Sequence, residues 1–199
     1  MLSRVLAGAR SIIWIATVGT VLGVTLGTIV GVTSGYAGGK IDQIIMRIVD
    51  WLLAIPSLLL AILVIHLATQ RFSGVDDSWI VIGIIGISFM PNNSRVIRSA
   101  TLAVKPLEFV ESARLRGEPT PYIMFREILP NVLPVVAVEA AIRISFALLL
   151  TAGLGFLGLG VQEPTPDWGL MVAENAKHLS TVPLPRSRPD SLWHRWSSA

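Results

Sequence analysis

Few side chains in this sequence are of a type that does chemistry, and they are unevenly placed. There is no cysteine, which excludes a thiol nucleophile, a thiolate metal site and a disulfide. The histidines His66, His178 and His194 are scattered and form no metal-ligand spacing. No serine–histidine or paired-carboxylate arrangement suggests hydrolysis. The phosphate loop G-x-x-x-x-G-K-S/T is absent: Lys40 follows Gly39, but no glycine stands at the required upstream position. No catalytic residue, cofactor, metal or nucleic-acid partner is therefore expected. Three groups of polar side chains stand out among those that remain. One is a polar segment, residues 108–131, EFVESARLRGEPTPYIMFREILPN. Another is the pair Glu139 and Arg143, alone in a long apolar run. The last is the group Gln162, Glu163 and Asp167, set among Pro164, Pro166 and Trp168.

Each calls for a different chemistry. Glu139 and Arg143 are four residues apart with the acid first, the spacing of a side-chain pair on one helix face. Inside a membrane such charges are costly and often functional. Near the cytoplasmic end of a span they make an ordinary structural pair at the interface. Gln162, Glu163 and Asp167 are the polar groups best placed to meet a substrate. Alternatively, their segment is a re-entrant turn that seals a helix bundle. The polar segment has the makeup of a docking loop. Residues 107–116 alternate Glu108, Glu111, Arg114 and Arg116 with Phe109, Val110, Ala113 and Leu115, a short amphipathic helix. Gly117 ends it, Pro119 and Pro121 force a turn, residues 122–128 make a second short helix, and Leu129-Pro130 closes the loop at the membrane. A partner's groove is expected to take the apolar face of the first helix. The bland alternative is a basic helix lying on the bilayer surface.

The elements that must position these groups are apolar helices. Of 199 residues, 52% are hydrophobic and 15% charged, where a soluble domain carries about 25% charged. Mean hydropathy is +0.66. About 20 apolar residues span a bilayer. Residues 11–39 and 132–161 qualify. Residues 51–68, with Pro56 inside, reach that length once 44–49 are added. Residues 79–90 are the weakest candidate; they extend towards Ser99, with Pro91 a site for a kink. Arg95, Arg98, Lys105, Arg114, Arg116 and Arg126 make the stretch before and through the polar segment the most basic connection, which places it in the cytoplasm. Lys40 and Arg47 then lie inside, and Asp76, Asp77 and residues 162–179 outside. The N-terminus falls on the outer face, which suggests an earlier span absent from this chain. Within the first span, Gly19, Gly23, Gly27, Gly31 and Gly35 recur every fourth residue on one helix face. Small-xxx-small faces let backbones approach closely in lipid. This face packs within one protein, or against a partner, sliding in gating. From residue 183 the composition turns Pro-, Ser- and Arg-rich, so residues 1–182 form a membrane domain and 183–199 a polar tail expected to be disordered.

Spacing in the polar segment resembles a known pattern. Glu111-Ser112-Ala113, Gly117 and Leu129-Pro130 fall in register with the EAA loop of ABC-importer permeases, with Ser112 for the middle alanine and Glu127 where isoleucine is usual. Gly8-Ala9-Arg10-Ser11, then Gly35-Tyr36-Ala37-Gly38-Gly39 with Asp42, Arg47 and Asp50, resemble the dipeptide, oligopeptide and nickel branch of that family. So do Ala54-Ile55-Pro56-Ser57, Ser94-Arg95 with Arg98, residues 155–162 and residues 164–169. The resemblance covers residues 8–182. It implies an all-α polytopic bundle of the type I ABC-importer permease kind, with four to five spans present, in the plasma (inner) membrane. It also implies an importer of peptides or nickel working by alternating access, with ATP hydrolysed elsewhere. Its partners would be a second homologous permease, two ATP-binding subunits, an extracytoplasmic solute-binding protein and the lipid bilayer. Glu111, Ser112, Ala113, Gly117, Leu129 and Pro130 would couple to the ATPase. Gln162, Glu163, Pro164, Pro166, Asp167 and Trp168 would lie near the pathway mouth. Family members continue at both ends, so a truncated, inactive remnant is one alternative. A secondary transporter or channel, favoured only by Glu139–Arg143, is another.

Overall fold

A computed structural model describes residues 2–71, 76–160 and 166–181, and every element in them is helical. The elements are α1 (Leu2–Ala37), α2 (Gly39–Ala54), α3 (Ser57–Arg71), α4 (Asp77–Val104), α5 (Glu108–Leu115), α6 (Thr120–Tyr122), a π-helical stretch (Ile123–Ile128), α7 (Leu129–Phe156) and α8 (Trp168–Thr181). Among the described residues, α1, α4 and the run into α7 are long and apolar enough to cross a membrane. The pair α2–α3 makes a fourth crossing if counted together. The polar tail, residues 183–199, lies outside the described residues.

The core of the bundle is the contact of α1 with α4. A Cβ on Gly19 would stand 2.8 Å from Ile85, on Gly23 2.9 Å from the Gly86 carbonyl, and on Gly27 2.7 Å from Asn93. On Gly31 it would stand 2.7 Å from the Ser94 carbonyl, and on Gly35 2.8 Å from Thr101. Both sequences rise together, so the helices run parallel and their backbones touch over four turns. The glycine face is thus occupied within this chain. Asn93 fills the closest point and donates to the Val24 carbonyl at 2.9 Å.

Two expected boundaries move, and one extension is found. The span expected across Pro56 breaks there: α2 and α3 meet at 87°. Ile55 before the proline is extended (φ −90°, ψ 122°), as the clash with the following ring demands. Pro91, by contrast, does not end α4, which runs on to Val104. The expected separate helix over 122–128 does not exist either. Thr120–Phe156 is one unbroken helix, and Leu129-Pro130 lies within it instead of closing the loop. The π-helical stretch explains how Pro130 is tolerated. The Leu129 N–H reaches back to the Met124 carbonyl, and the Asn131 side chain donates to the Glu127 carbonyl at 2.7 Å. The wider turn relieves the ring's clash with the preceding turn.

If the glycine contact sets the bundle, its members are not equivalent. Gly27→Ala should lower thermal stability of the detergent-purified chain by about 1–3 kcal/mol, because its methyl meets backbone and side chain. Gly83→Ala, with nothing within 4 Å, should not lower it. Melting followed by circular dichroism compares them, and equal losses would refute the assignment.

Candidate functional site: the polar loop and its seat

Helix α5 begins after an extended Leu107 (φ −72°, ψ 149°) and carries Glu108 and Glu111 in its first turn and Arg114 in its last, each at the end of the helix dipole that favours it. Gly117, at φ 78°, closes it. The Glu118 N–H donates to the Ala113 carbonyl (3.2 Å) and the Gly117 N–H to the Arg114 carbonyl (2.9 Å). That is a Schellman cap, which needs a left-handed residue at the position of Gly117.

The two faces of α5 do the reverse of what composition suggests. Val110 and Ala113 are fully buried. They pack with Val32 of α1, Ile97 of α4, Ile123 and Ile128 of the π-helical stretch and Val132 of α7. Burial of the valine alone is worth about 1.5–3 kcal/mol. The apolar face expected to enter a partner's groove is therefore the helix's own anchor. The outward stripe is Glu108, Glu111, Ser112 and Leu115, all exposed, with Leu115 at 82%. Tyr36 at the end of α1 lies under two cations, Arg114 at 5.3 Å and Lys105 at 5.7 Å from the ring centre. Arg116 spans the turn to Glu127 at 3.3 Å and to Glu118 at 3.9 Å.

Sequence reasoning named Asp42 and Arg98 without joining them. Gly38 and Gly39, both left-handed (φ 66° and 57°), reverse the chain between α1 and α2 and bring Asp42 back onto Ser34. The Ser34 hydroxyl donates to Asp42 Oδ1. Arg98 donates from Nε to the same oxygen at 2.6 Å and from Nη2 to Oδ2. Three helices, α1, α2 and α4, meet on one carboxylate. The missed signal was the glycine pair, which permits a turn this tight. Arg95 and Asp50 form a second, exposed pair alongside.

At the far end, Asp167 is buried, and its Oδ1 accepts the Leu170 N–H at 3.1 Å, capping α8. The Trp168 indole N–H donates to the Val5 carbonyl at 2.9 Å. Gly155 and Gly169 permit this closeness: a Cβ there would stand 2.1 Å from Asp167 and 2.2 Å from the Ala152 carbonyl. Asp167 and Trp168 thus fasten α8 to α7 and α1, with Pro166 half-buried beside them. Gln162, Glu163 and Pro164 lie outside the described residues. Glu139 and Arg143 are paired, with Nε and Nη2 both donating to Oε2 at 3.1 and 2.9 Å. Arg143 lies over Phe89, 6.0 Å from the ring centre, and Phe89 is about 20 Å along α4 from either end.

The sequence model of a family described as "Binding-protein-dependent transport system inner membrane component" matches residues 23–184. The chain is 37% identical over 181 residues to the glutathione transport system permease protein GsiD of Pectobacterium atrosepticum, covering 91% of this chain and 58% of that protein. It is 35% identical over 183 residues to the oligopeptide transport system permease protein OppC of Haemophilus influenzae (92% and 57%). With the di/tripeptide transport system permease protein DppC of Pseudomonas aeruginosa it shares 36% over 173 residues (87% and 55%). It thus spans little more than half the length of these relatives. Among solved structures, an inward-facing form of the MetNI methionine ABC transporter superposes with a TM-score of 0.72 at 18% identity, covering 91% of this chain and 93% of that one. A second crystal form gives 0.69 at 21% identity. These likenesses establish a shared fold.

The two ion pairs made by α2 should differ in a double-mutant cycle. Asp42→Asn with Arg98→Gln should show a coupling of about 0.5–3 kcal/mol in thermal unfolding. Asp50→Asn with Arg95→Gln joins half-exposed groups and should show almost none. A larger coupling at the outer pair would contradict the clamp.

Proposed function

The chain belongs to the family of binding-protein-dependent transport system inner membrane components, and from that premise we propose that it is a permease subunit of an ATP-driven peptide importer, driven through α5. The family is one of multi-pass inner-membrane transport permeases and not of enzymes. The oligopeptide and di/tripeptide relatives are named for peptide transport.

One observation carries the coupling assignment. Helix α5 presents Glu108, Glu111, Ser112 and Leu115 outward while Val110 and Ala113 lock it to α1, α4 and α7. A part that transmits force must offer a recognisable surface and must not yield behind it. An exposed leucine at the end of a stripe that begins with two carboxylates is such a surface, and the buried anchor with its Schellman cap is such a support. A displacement of α5 then moves the ends of three spans together. Glu111, Ser112 and Leu115 make the contact. Ala113, Gly117, Leu129 and Pro130 hold its shape. Arg116, unusual beside the glycine, ties the turn to Glu127.

The remaining parts follow from the transport reading. Two ATP-binding subunits supply the energy, one on this loop and one on that of a second, homologous permease. A solute-binding protein delivers peptide at the outer face, near residues 162–168. Closure of the ATPases pushes the loops, and the bundle alternates between inward and outward openings.

Co-purification in detergent with the ATPase and partner permease tests the loop. Leu115→Asp changes only the exposed stripe and should reduce ATPase recovery about tenfold or more while partner-permease recovery is kept. Gly117→Val forces a β-branched residue into left-handed backbone and should also lose ATPase. ATPase recovery unaffected by both variants would rule out α5 as the contact.

A further inference from the structure

We propose that the cavity beside Glu139 and Arg143 is a transit site that holds the C-terminal carboxylate of a peptide at the free edge of the Arg143 guanidinium. This rests on the reading of the chain as a peptide permease and adds where the solute is recognised inside the membrane.

The cavity has a volume of about 360 Å³ and lies between α3, α4 and α7, within the range of small-molecule sites. Its polar lining is Ser57, Ser88, Asn92 and Arg143, and its walls include Phe89 and Phe146. That is the composition a peptide requires: a cation for the carboxylate, amide and hydroxyl groups for the backbone, and aromatic surface for side chains. The buried Ser88 hydroxyl has no hydrogen-bond partner among the described residues.

The geometry of the pair leaves room for an anion. Arg143 spends Nε and Nη2 on a single oxygen of Glu139, and Nη1 has no protein acceptor among the described residues. A guanidinium is a planar fork suited to carboxylates, and the Phe89 face steadies it. Glu139 offsets its charge, so the empty site is neutral, which lowers the cost of a cation within a membrane span. An incoming carboxylate then meets a donor edge already balanced by one acid. Binding is favourable but shallow, as a site must be if solute is to leave it.

The test uses the complete complex of this permease, its partner permease, the ATPases and the binding protein in vesicles. The probes are alanyl-phenylalanine and its C-terminal amide, which differ only at the carboxylate. Wild-type complex should take up the acid about tenfold or more faster than the amide. Arg143→Gln should bring that ratio close to one, and Arg143→Lys should keep part of it. Glu139→Gln with Arg143→Gln removes both charges, leaves no orphaned acid and should also abolish the preference. Because the binding protein can impose a preference of its own, the arm that isolates the site omits it. There the acid, not the amide, should raise the melting temperature of the permease–ATPase complex, and the double variant should lose the shift. Peptide uptake with no acid-specific shift in the wild-type complex overturns the site and leaves the transport reading standing. So does a shift retained by the double variant. Failure to take up any peptide overturns the transport reading, and the site with it.

Discussion

The parallel contact between α1 and α4 sets the terms for the rest of this molecule. Lipid offers no hydrophobic drive for one apolar helix to find another, so association depends on how closely the backbones come. Glycine at every fourth residue from Gly19 to Gly35 strips one face of α1 to backbone, and α4 fits it from Ile85 to Thr101. A contact matched over so many turns fixes register as well as distance. The two helices consequently end level, with Ser34 and Tyr36 beside Arg98 and Thr101. There the chain has built its polar apparatus, the Asp42 junction and the seat of α5. A shift of one helix relative to the other by a turn would separate Ser34, Asp42 and Arg98 and dissolve the pocket that takes Val110 and Ala113.

Around that rigid pair the chain changes direction by backbone chemistry. Gly38 and Gly39 supply left-handed residues for an abrupt reversal. Pro56 forbids a helix through Ile55 and turns α3 away from α2. Gly117 caps α5 and releases the chain towards α7. Each device stands at a helix end, where orphaned carbonyls and amides must be satisfied. The prolines within long helices behave differently. Pro91 is absorbed into α4, and Pro130 follows a π-helical stretch that gives its ring space. A proline breaks a helix only where no neighbouring geometry takes up the clash, and that depends on tertiary support.

This explains which parts of the fold were readable beforehand. The long spans around 11–39 and 132–161, the glycine face and the cap at Gly117 all follow from local spacing, and each is present. The break at Pro56, the continuity through Pro91 and the absence of a separate helix over 122–128 turn on the same residue type with opposite outcomes. No local rule separates them. In the candidate site, the amphipathic character of α5 was legible, but the direction in which its apolar face points was not. That direction depends on three other helices ending at the same level. The Asp42–Arg98 junction joins residues 56 positions apart, and a single sequence carries no record of such a pairing. Asp167, expected near the pathway mouth, also caps α8 through one oxygen, a role the sequence reading did not assign it.

The two buried ion pairs divide by what they join. Arg98 uses two nitrogens on two oxygens of Asp42, with Ser34 as a third partner, and links α1, α2 and α4. Geometry of that quality offsets the desolvation of both charges and holds helices in place. Glu139 and Arg143 lie on one helix, one turn apart, and the acid uses one oxygen for both bonds. The bonds of such a pair stay within one helix, its contact with α4 being the Arg143 guanidinium over Phe89, and charge inside a span is costly. Well-packed apolar residues at both positions together would serve the fold as well or better. The pair's position beside a cavity with polar groups from α3 and α4 is what gives the cost a use.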